Sequence, residues 1–259
     1  MSVGASGEPS VTAIVAALPE ELAPLRSHVT GIEHRWAGAL RLECGKLNGR
    51  RVVLAVTGDG ERNARTGVAA VLAASRADRM IAIGVAGALS AGLAATSLIV
   101  AKQVTDADGT AVVGDERQIA DVARATGGRT AVVVSAPAIV DRAEAKQRLA
   151  REVAPGDVPA VVDLESAAYV AGAVAAGIPW LVLRAVSDTA DESLPDLLNR
   201  SRDDGGAVRR ARVVLGLLRQ PQALPSLLAL RGRVGRCAEV LARAVAAALP
   251  ALSAPRSGE

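Results

Sequence analysis

Hydrophobic positions in this chain gather into short unbroken runs, separated by stretches in which apolar residues recur at helical spacing. Residues 11–17, 80–84, 158–162 and 180–186 are such runs, the pattern of strands buried on both faces of a parallel sheet. Residues 37–47 and 50–57 are also strand-like and flank Asn48-Gly49, the strongest short hairpin signal. Residues 97–101, 103–113 and 131–134 extend the sheet. Leu18-Pro19-Glu20-Glu21 opens a helix with proline in its first turn and acids at its positive end, continued by Leu22, Leu25 and Val29. Further helices are predicted over 60–75, 115–125, 142–152 and 167–176, the last stopped by Gly177 ahead of Pro179. The alternation predicts an α/β fold, a single-domain three-layer sandwich around a central mixed β-sheet.

Beyond Asp191 the pattern changes. Residues 194–204 are polar and loop-like, and 207–218, 224–230 and 234–249 read as Leu/Arg amphipathic helices punctuated by Pro221 and Pro225. The expected organisation is a disordered start over 1–10, an α/β domain over 11–204, a basic helical extension over 205–249 and a disordered tail over 250–259.

Composition narrows the class. The chain has 259 residues, 50% of them hydrophobic, enough for one sizeable core. Aromatics make up 1% and phenylalanine is absent, so Ala, Val, Leu and Ile must build that core. Cys44 and Cys237 lack metal-type spacing and read as two reduced thiols, neither a disulfide framework nor a zinc site. Residues 1–10 lack the apolar segment of a signal peptide, and no apolar run is long enough to span a membrane. A cytoplasmic protein is expected. Charge is unevenly placed: residues 205–249 carry eight Arg and one Glu, or +7 of a net +3, which leaves −4 for the rest. Basic helices with a leucine face suit a membrane surface or a partner, or else a cap packed on the core with its arginines in solvent. Nucleic acid is excluded as a partner, because no aromatics are interleaved for base stacking.

Candidate chemistry concentrates in residues 163–191, DLESAAYVAGAVAAGIPWLVLRAVSDTAD. Asp163 and Glu165 stand at the mouth of a helix; Ser187 and Asp188 follow a buried strand, at the edge where open α/β sheets bind ligands. Taken singly, Glu165 can complement a helix N-terminus and Asp188 can close an Asx-turn. Flanking one helix–strand unit, they can face one crevice. Thr57-Gly58-Asp59-Gly60 lies between a strand and a helix, and its glycines permit the close backbone approach seen in phosphate-cradling loops. Asn63 stands where a dinucleotide fingerprint needs Gly or Ala, so a Rossmann site is not expected. Arg62 and Arg65 read as a solvated helix face that could also favour an anion, and His34 and Trp36 as structural residues before the hairpin.

D-L-E-S at 163–166 followed by L-R-A-V-S-D at 183–188 resembles the signature pair of the nucleoside phosphorylase/nucleosidase superfamily, in particular the methylthioadenosine/S-adenosylhomocysteine nucleosidases. The resemblance covers residues 11–192. It implies that Asp188 protonates N7 of a departing purine, that Glu165 holds the ribose hydroxyls, and that Glu21, in A-A-L-P-E-E-L, activates the attacking water. Phosphorolytic members do not use the acid matching Glu21 in this way, which favours hydrolysis while leaving water and phosphate both open as acceptor. Thr57 and Gly58 match the segment under the ribose and nucleophile. Ala86 and Gly87, in G-V-A-G-A-L, match a glycine-rich loop under the base and sugar, with Ala88 in place of its last glycine. Ile139, in S-A-P-A-I-V, stands where adenine-releasing relatives carry a stacking aromatic. Asp163, Leu164, Arg184 and Ser187 fall within the two motifs and join the implied substrate-binding set.

The tail resembles a narrower group. S-D-T-A-D-E-S-L-P at 187–195 and L-L-R-Q-P-Q-A-L-P-S-L-L-A-L at 217–230 are similar to hopanoid-associated phosphorylases. That similarity implies adenine release from a lipid-linked 5′-substituted adenosine such as adenosylhopane, with the basic helices in peripheral membrane contact. No metal or organic cofactor is implied, and a homo-oligomer is. The competing class is a nucleoside- or lipid-sensing module without chemistry. The missing aromatic and Ala88 favour it; Glu21, Glu165 and Asp188 weigh against it.

Overall fold

The apolar runs become strands of one ten-stranded mixed sheet. The computed structural model describes residues 10–153, 158–195, 197–200 and 224–252. In chain order the strands are β1 (Val11–Ala16), β2 (Thr30–Ala37), β3 (Leu40–Leu47), β4 (Arg50–Val56), β5 (Arg79–Ala88), β6 (Leu98–Thr105), β7 (Ala111–Val113), β8 (Arg129–Ser135), β9 (Ala160–Asp163) and β10 (Trp180–Asp188). Helices α1 (Pro19–Arg26), α2 (Glu61–Ser75), α3 (Glu116–Thr126), α4 (Ala143–Val153), α5 (Ser166–Ala175), α6 (Leu197–Arg200) and α7 (Leu224–Ala251) complete the described elements.

β5 is the hinge of the topology. It runs parallel to β1 and β10 and antiparallel to β9. β10 pairs onward with β6, β6 with β8 and β8 with β9, so five strands close into a ring. β1, β4, β3 and β2 continue from β5 as an open sheet. One face buries Val68 and Val71 of α2 and Tyr169 and Ala173 of α5. The other buries Leu22 and Leu25 of α1, Ile119 and Val122 of α3, and Leu241 and Val245 of α7. Three layers result, as the alternation predicts. The core is aliphatic as composition requires, and Tyr169 is its buried aromatic. Small residues allow close packing: a Cβ on Gly172 of α5 would lie 2.6 Å from Val68 of α2.

Several boundaries differ from the sequence reading. β2 is a strand where only a lead-in to the hairpin is expected, and His34 and Trp36 lie within it, with Trp36 exposed. α1 stops at Arg26, short of Val29. Segment 84–88, expected as a glycine-rich loop, is the end of β5, because Gly87 finds partners on both sides, in β10 and β9, and Ala88 pairs with β9. β6 runs through Lys102, where its register with β8 shifts between Ala101 and Gln103, and continues to Thr105. β10 likewise continues through Ser187 and Asp188, with a bulge between Val186 and Asp188.

The C-terminal helices expected at 224–230 and 234–249 are one helix, α7, since Pro225 falls in its first turn, where proline costs no hydrogen bond. Its second half buries Cys237, Leu241, Val245 and Ala248 at helical spacing against α1, α3 and β10. Pro250 and Ala251 belong to this helix and Leu252 is buried, so the chain is ordered past the tail boundary expected at 250. The helix expected over 207–218 and the ends over 1–9 and 253–259 lie outside the described residues. No described helix is long and apolar enough to cross a membrane.

Candidate active site

The carboxyl ends of β5, β9 and β10 and the start of α1 enclose a cavity of about 240 Å³, at the small end for a ligand site. Of the residues singled out by sequence, Glu21, Ala86, Gly87, Ile139, Asp163, Leu164, Glu165, Ser187 and Asp188 line it.

Glu21 enters from the first turn of α1. One carboxylate oxygen reaches back to the Leu18 N–H at 2.9 Å, the side-chain half of a capping box, and the other accepts from the Val85 N–H at 3.0 Å. A helix start and the end of β5 thus fix one buried carboxyl. Burial raises its pKa, against the lowering effect of those N–H groups and of Arg184.

Glu165 is the N-cap residue of α5, yet its side chain does not cap that helix. It accepts instead from the Gly60 N–H at 2.7 Å. Gly60 sits at φ +85, a conformation that favours glycine, so the 57–60 turn turns an amide toward this acid. Burial, then the charge of Asp163, pushes the Glu165 carboxyl up to about 8.

Asp163 is spent on structure. Its oxygens accept from the Ser135 hydroxyl at 2.8 Å, the Ser166 N–H at 3.2 Å, the Ser166 hydroxyl at 2.5 Å and the Arg184 Nε at 2.6 Å. Arg184, expected in the substrate-binding set, is buried and is not among the residues that line the cavity. Burial disfavours its charge, but Asp163, Glu165 and Glu21 more than compensate and its pKa is raised. A Cβ on Gly84 would lie 2.8 Å from an Arg184 nitrogen and 3.1 Å from Glu21, so this strand glycine makes room for the counter-ion of the acids.

Ser187 and Asp188 would face opposite sides of a regular strand; the bulge lets both reach the cavity. Asp188 is buried. One oxygen takes the Ser187 hydroxyl at 2.5 Å and the other the Lys146 ammonium at 2.5 Å.

Thr57 and Gly58 do not line the cavity. The Thr57 hydroxyl lies 2.6 Å from that of Tyr169 and also reaches the Ala16 carbonyl, so it ties β1 to α5 beneath the site. Gly58 is packed against the Asn63 side chain. Arg65 pairs with Glu61 on the exposed face of α2. Ile139 lines the cavity with Ala138 and Val140, and Asn199 of α6 brackets its backbone by accepting from the Ile139 N–H and donating to its carbonyl. Leu194, Leu198, and Leu230 and Val234 of α7 add apolar side chains to the lining.

The sequence pattern of the family described as Phosphorylase superfamily matches residues 11–219. The chain belongs to this superfamily. A 5′-methylthioadenosine/S-adenosylhomocysteine nucleosidase of Geobacillus kaustophilus is 29% identical over 199 residues, covering 70% of this chain and 85% of that protein. Among solved structures, that of the 5′-methylthioadenosine/S-adenosylhomocysteine nucleosidase of Neisseria meningitidis in complex with methylthio-immucillin-A has a TM-score of 0.74 at 22% identity, covering 94% of this chain and 100% of the other. Futalosine hydrolase of Helicobacter pylori, in a mutant form, has a TM-score of 0.73 at 17% identity, with coverage of 94% and 100%. These two share the fold.

Against the superfamily motifs, sequence reasoning misses Lys146, Asn199 and the two α7 residues at the cavity. For Lys146 a signal exists. On α4 it stands in line with Leu149, Ala150 and Val153, all turned to the core, so a lysine occupies a position where an apolar residue is expected. Asn199, Leu230 and Val234 carry no comparable signal, because their place follows from how distant segments pack.

Proposed function

We propose that this protein releases adenine from a 5′-substituted adenosine by hydrolysis, with Asp188 as the acid to N7, Glu165 as the ribose anchor and Glu21 as the base to water. The coarser statement, an enzyme cleaving purine N-glycosidic bonds, rests on its superfamily and its nucleosidase relatives. The observation that carries the finer reading is that three acids from separate segments open on one cavity. Cleavage of the C1′–N9 bond sends its electron pair to the base, and a proton from Asp188 to N7 makes the base a neutral leaving group. Water then adds to the electron-poor C1′ and gives its proton to Glu21. Burial makes Glu21 a stronger base than a free carboxylate, as this step needs. The Glu165 carboxyl, held by the Gly60 N–H, keeps its second oxygen for the sugar hydroxyls.

Water is favoured over phosphate by the lining itself. Among the described residues no Lys or Arg lines the cavity, and Arg184 is engaged with Asp163. An anionic acceptor would meet the carboxyls of Glu21, Asp59, Asp163, Glu165 and Asp188 and, among the described residues, no lining cation.

The apolar lining residues Leu194, Leu198, Leu230 and Val234 favour an apolar 5′ substituent, with a lipid-linked one such as adenosylhopane as the extended case. Exposed Leu224 and Leu228 at the start of α7 are consistent with peripheral contact with a membrane surface. The test is a ranking of kcat/KM across adenosines with methylthio, homocysteinyl and long apolar 5′ groups. Rising efficiency with apolar length supports the reading. Preference for the charged homocysteinyl group would overturn the apolar assignment.

A further inference from the structure

α4 carries one fully buried side chain, and it is a lysine. The Lys146 Nζ donates to Asp188 Oδ2 at 2.5 Å, to the Thr189 carbonyl at 2.8 Å and to the Glu192 carbonyl at 2.8 Å. All three ammonium hydrogens are therefore directed, and the group cannot turn. Burying an ammonium is costly unless it is paired and hydrogen-bonded. An apolar residue at this position would have packed with Leu149 and Val153 without that cost, so the pairing calls for a reason beyond packing. The Glu192 carboxylate is in turn held by Arg233 of α7, one residue from the lining residue Val234. Lys146 thus joins the acid to the 189–192 turn and, through Glu192 and Arg233, to α7.

We propose that Lys146 is a positioning residue for the leaving-group acid, acting through Asp188. This rests on the reading of Asp188 as the proton donor to N7. Lys146 fixes one carboxyl oxygen, so the proton must leave from Oδ1, the oxygen shared with the Ser187 hydroxyl. As the proton passes to N7 and the C1′–N9 pair collapses onto the base, Asp188 is left as a carboxylate. The ammonium 2.5 Å away is placed to stabilise that carboxylate as it forms. The ion pair in the structure is the arrangement reached once the proton has gone to the base. Lys146 touches neither sugar nor base, since it does not line the cavity.

The experiment compares wild type, Asp188→Asn, Lys146→Met and Lys146→Arg on two substrates with the same 5′ group. One carries adenine, which must be protonated to leave. The other carries 4-nitrophenolate, which leaves without a proton. Asp188→Asn and Lys146→Met are expected to lose about 10²-fold or more on the adenine substrate and only a few-fold on the nitrophenyl riboside. Lys146→Arg should recover part of the loss. A second measurement uses Lys146→Ala, in which added ethylammonium should restore adenine release in a saturable way; it decides the matter if the wild type does not take the nitrophenyl riboside. Equal losses on both substrates without amine rescue, or Lys146→Met within a few-fold of wild type, would overturn the proposal and leave Lys146 a packing residue. No adenine release by the wild type would instead overturn the nucleosidase reading beneath it.

Discussion

Glu165 begins α5 without capping it, and its raised pKa ties site chemistry to stability. Its folded value of about 8 stands above the unfolded value of 4.5, so the folded chain holds a proton that the unfolded chain releases. The stability conferred by that proton is fully present below about 4.5 and is lost as pH rises through about 8. Unfolding free energy should therefore fall across this window, by at most about 1.4 kcal/mol per pH unit for one proton. Glu165→Gln should flatten the slope, with a remainder from Glu21, which burial shifts in the same direction. Urea unfolding of both proteins at several pH values checks this; parallel slopes would contradict it. At this scale the sequence was informative. The acids at 21, 165 and 188 were legible because each stands at a helix start or strand end. Lys146 was not, because a lysine on an amphipathic helix normally lies in solvent, and only the stripe of Leu149, Ala150 and Val153 says otherwise.

Gly87 shows what the elements add. In the sequence it is one glycine of a presumed loop; in the fold it is a strand residue between β10 and β9. A Cβ there would lie 2.9 Å from Asp188 Oδ2, so the strand must be bare for the acid to sit beside it. Gly87→Ala should displace Asp188 and lower adenine release by about tenfold or more while the protein stays folded, because small misplacements of a catalytic group are expensive. Activity within twofold of wild type would show that Asp188 tolerates the shift. The same contrast explains what was legible among the elements. Buried strands announce themselves as apolar runs, and Asn48-Gly49 announces its hairpin. β2 does not, because T-G-I-E-H-R-W-A is an edge strand exposed along most of its length and is made by its pairing with β3. The bulge at Val186–Asp188 likewise depends on the partner strand.

The molecule as a whole brings Glu21, Glu165 and Asp188 to one cavity, with Arg184 as buried counter-ion to the first two and Lys146 paired with the third. α7 adds Leu230 and Val234 to the lining. The three-layer α/β architecture was legible from alternation. The way α7 folds back to supply Leu230 and Val234 was not, since long-range packing of a Leu/Arg helix leaves no local mark. Everything proposed for this cavity depends on its hydrolysing a purine nucleoside with its own acids. The most direct measurement is adenine release from a 5′-substituted adenosine in phosphate-free buffer, by wild type, Glu21→Gln and Asp188→Asn. Wild type is expected to release adenine without acceleration by phosphate, and each variant to lose about 10²–10⁴-fold. Release that requires phosphate, or variants that match the wild type, would contradict it.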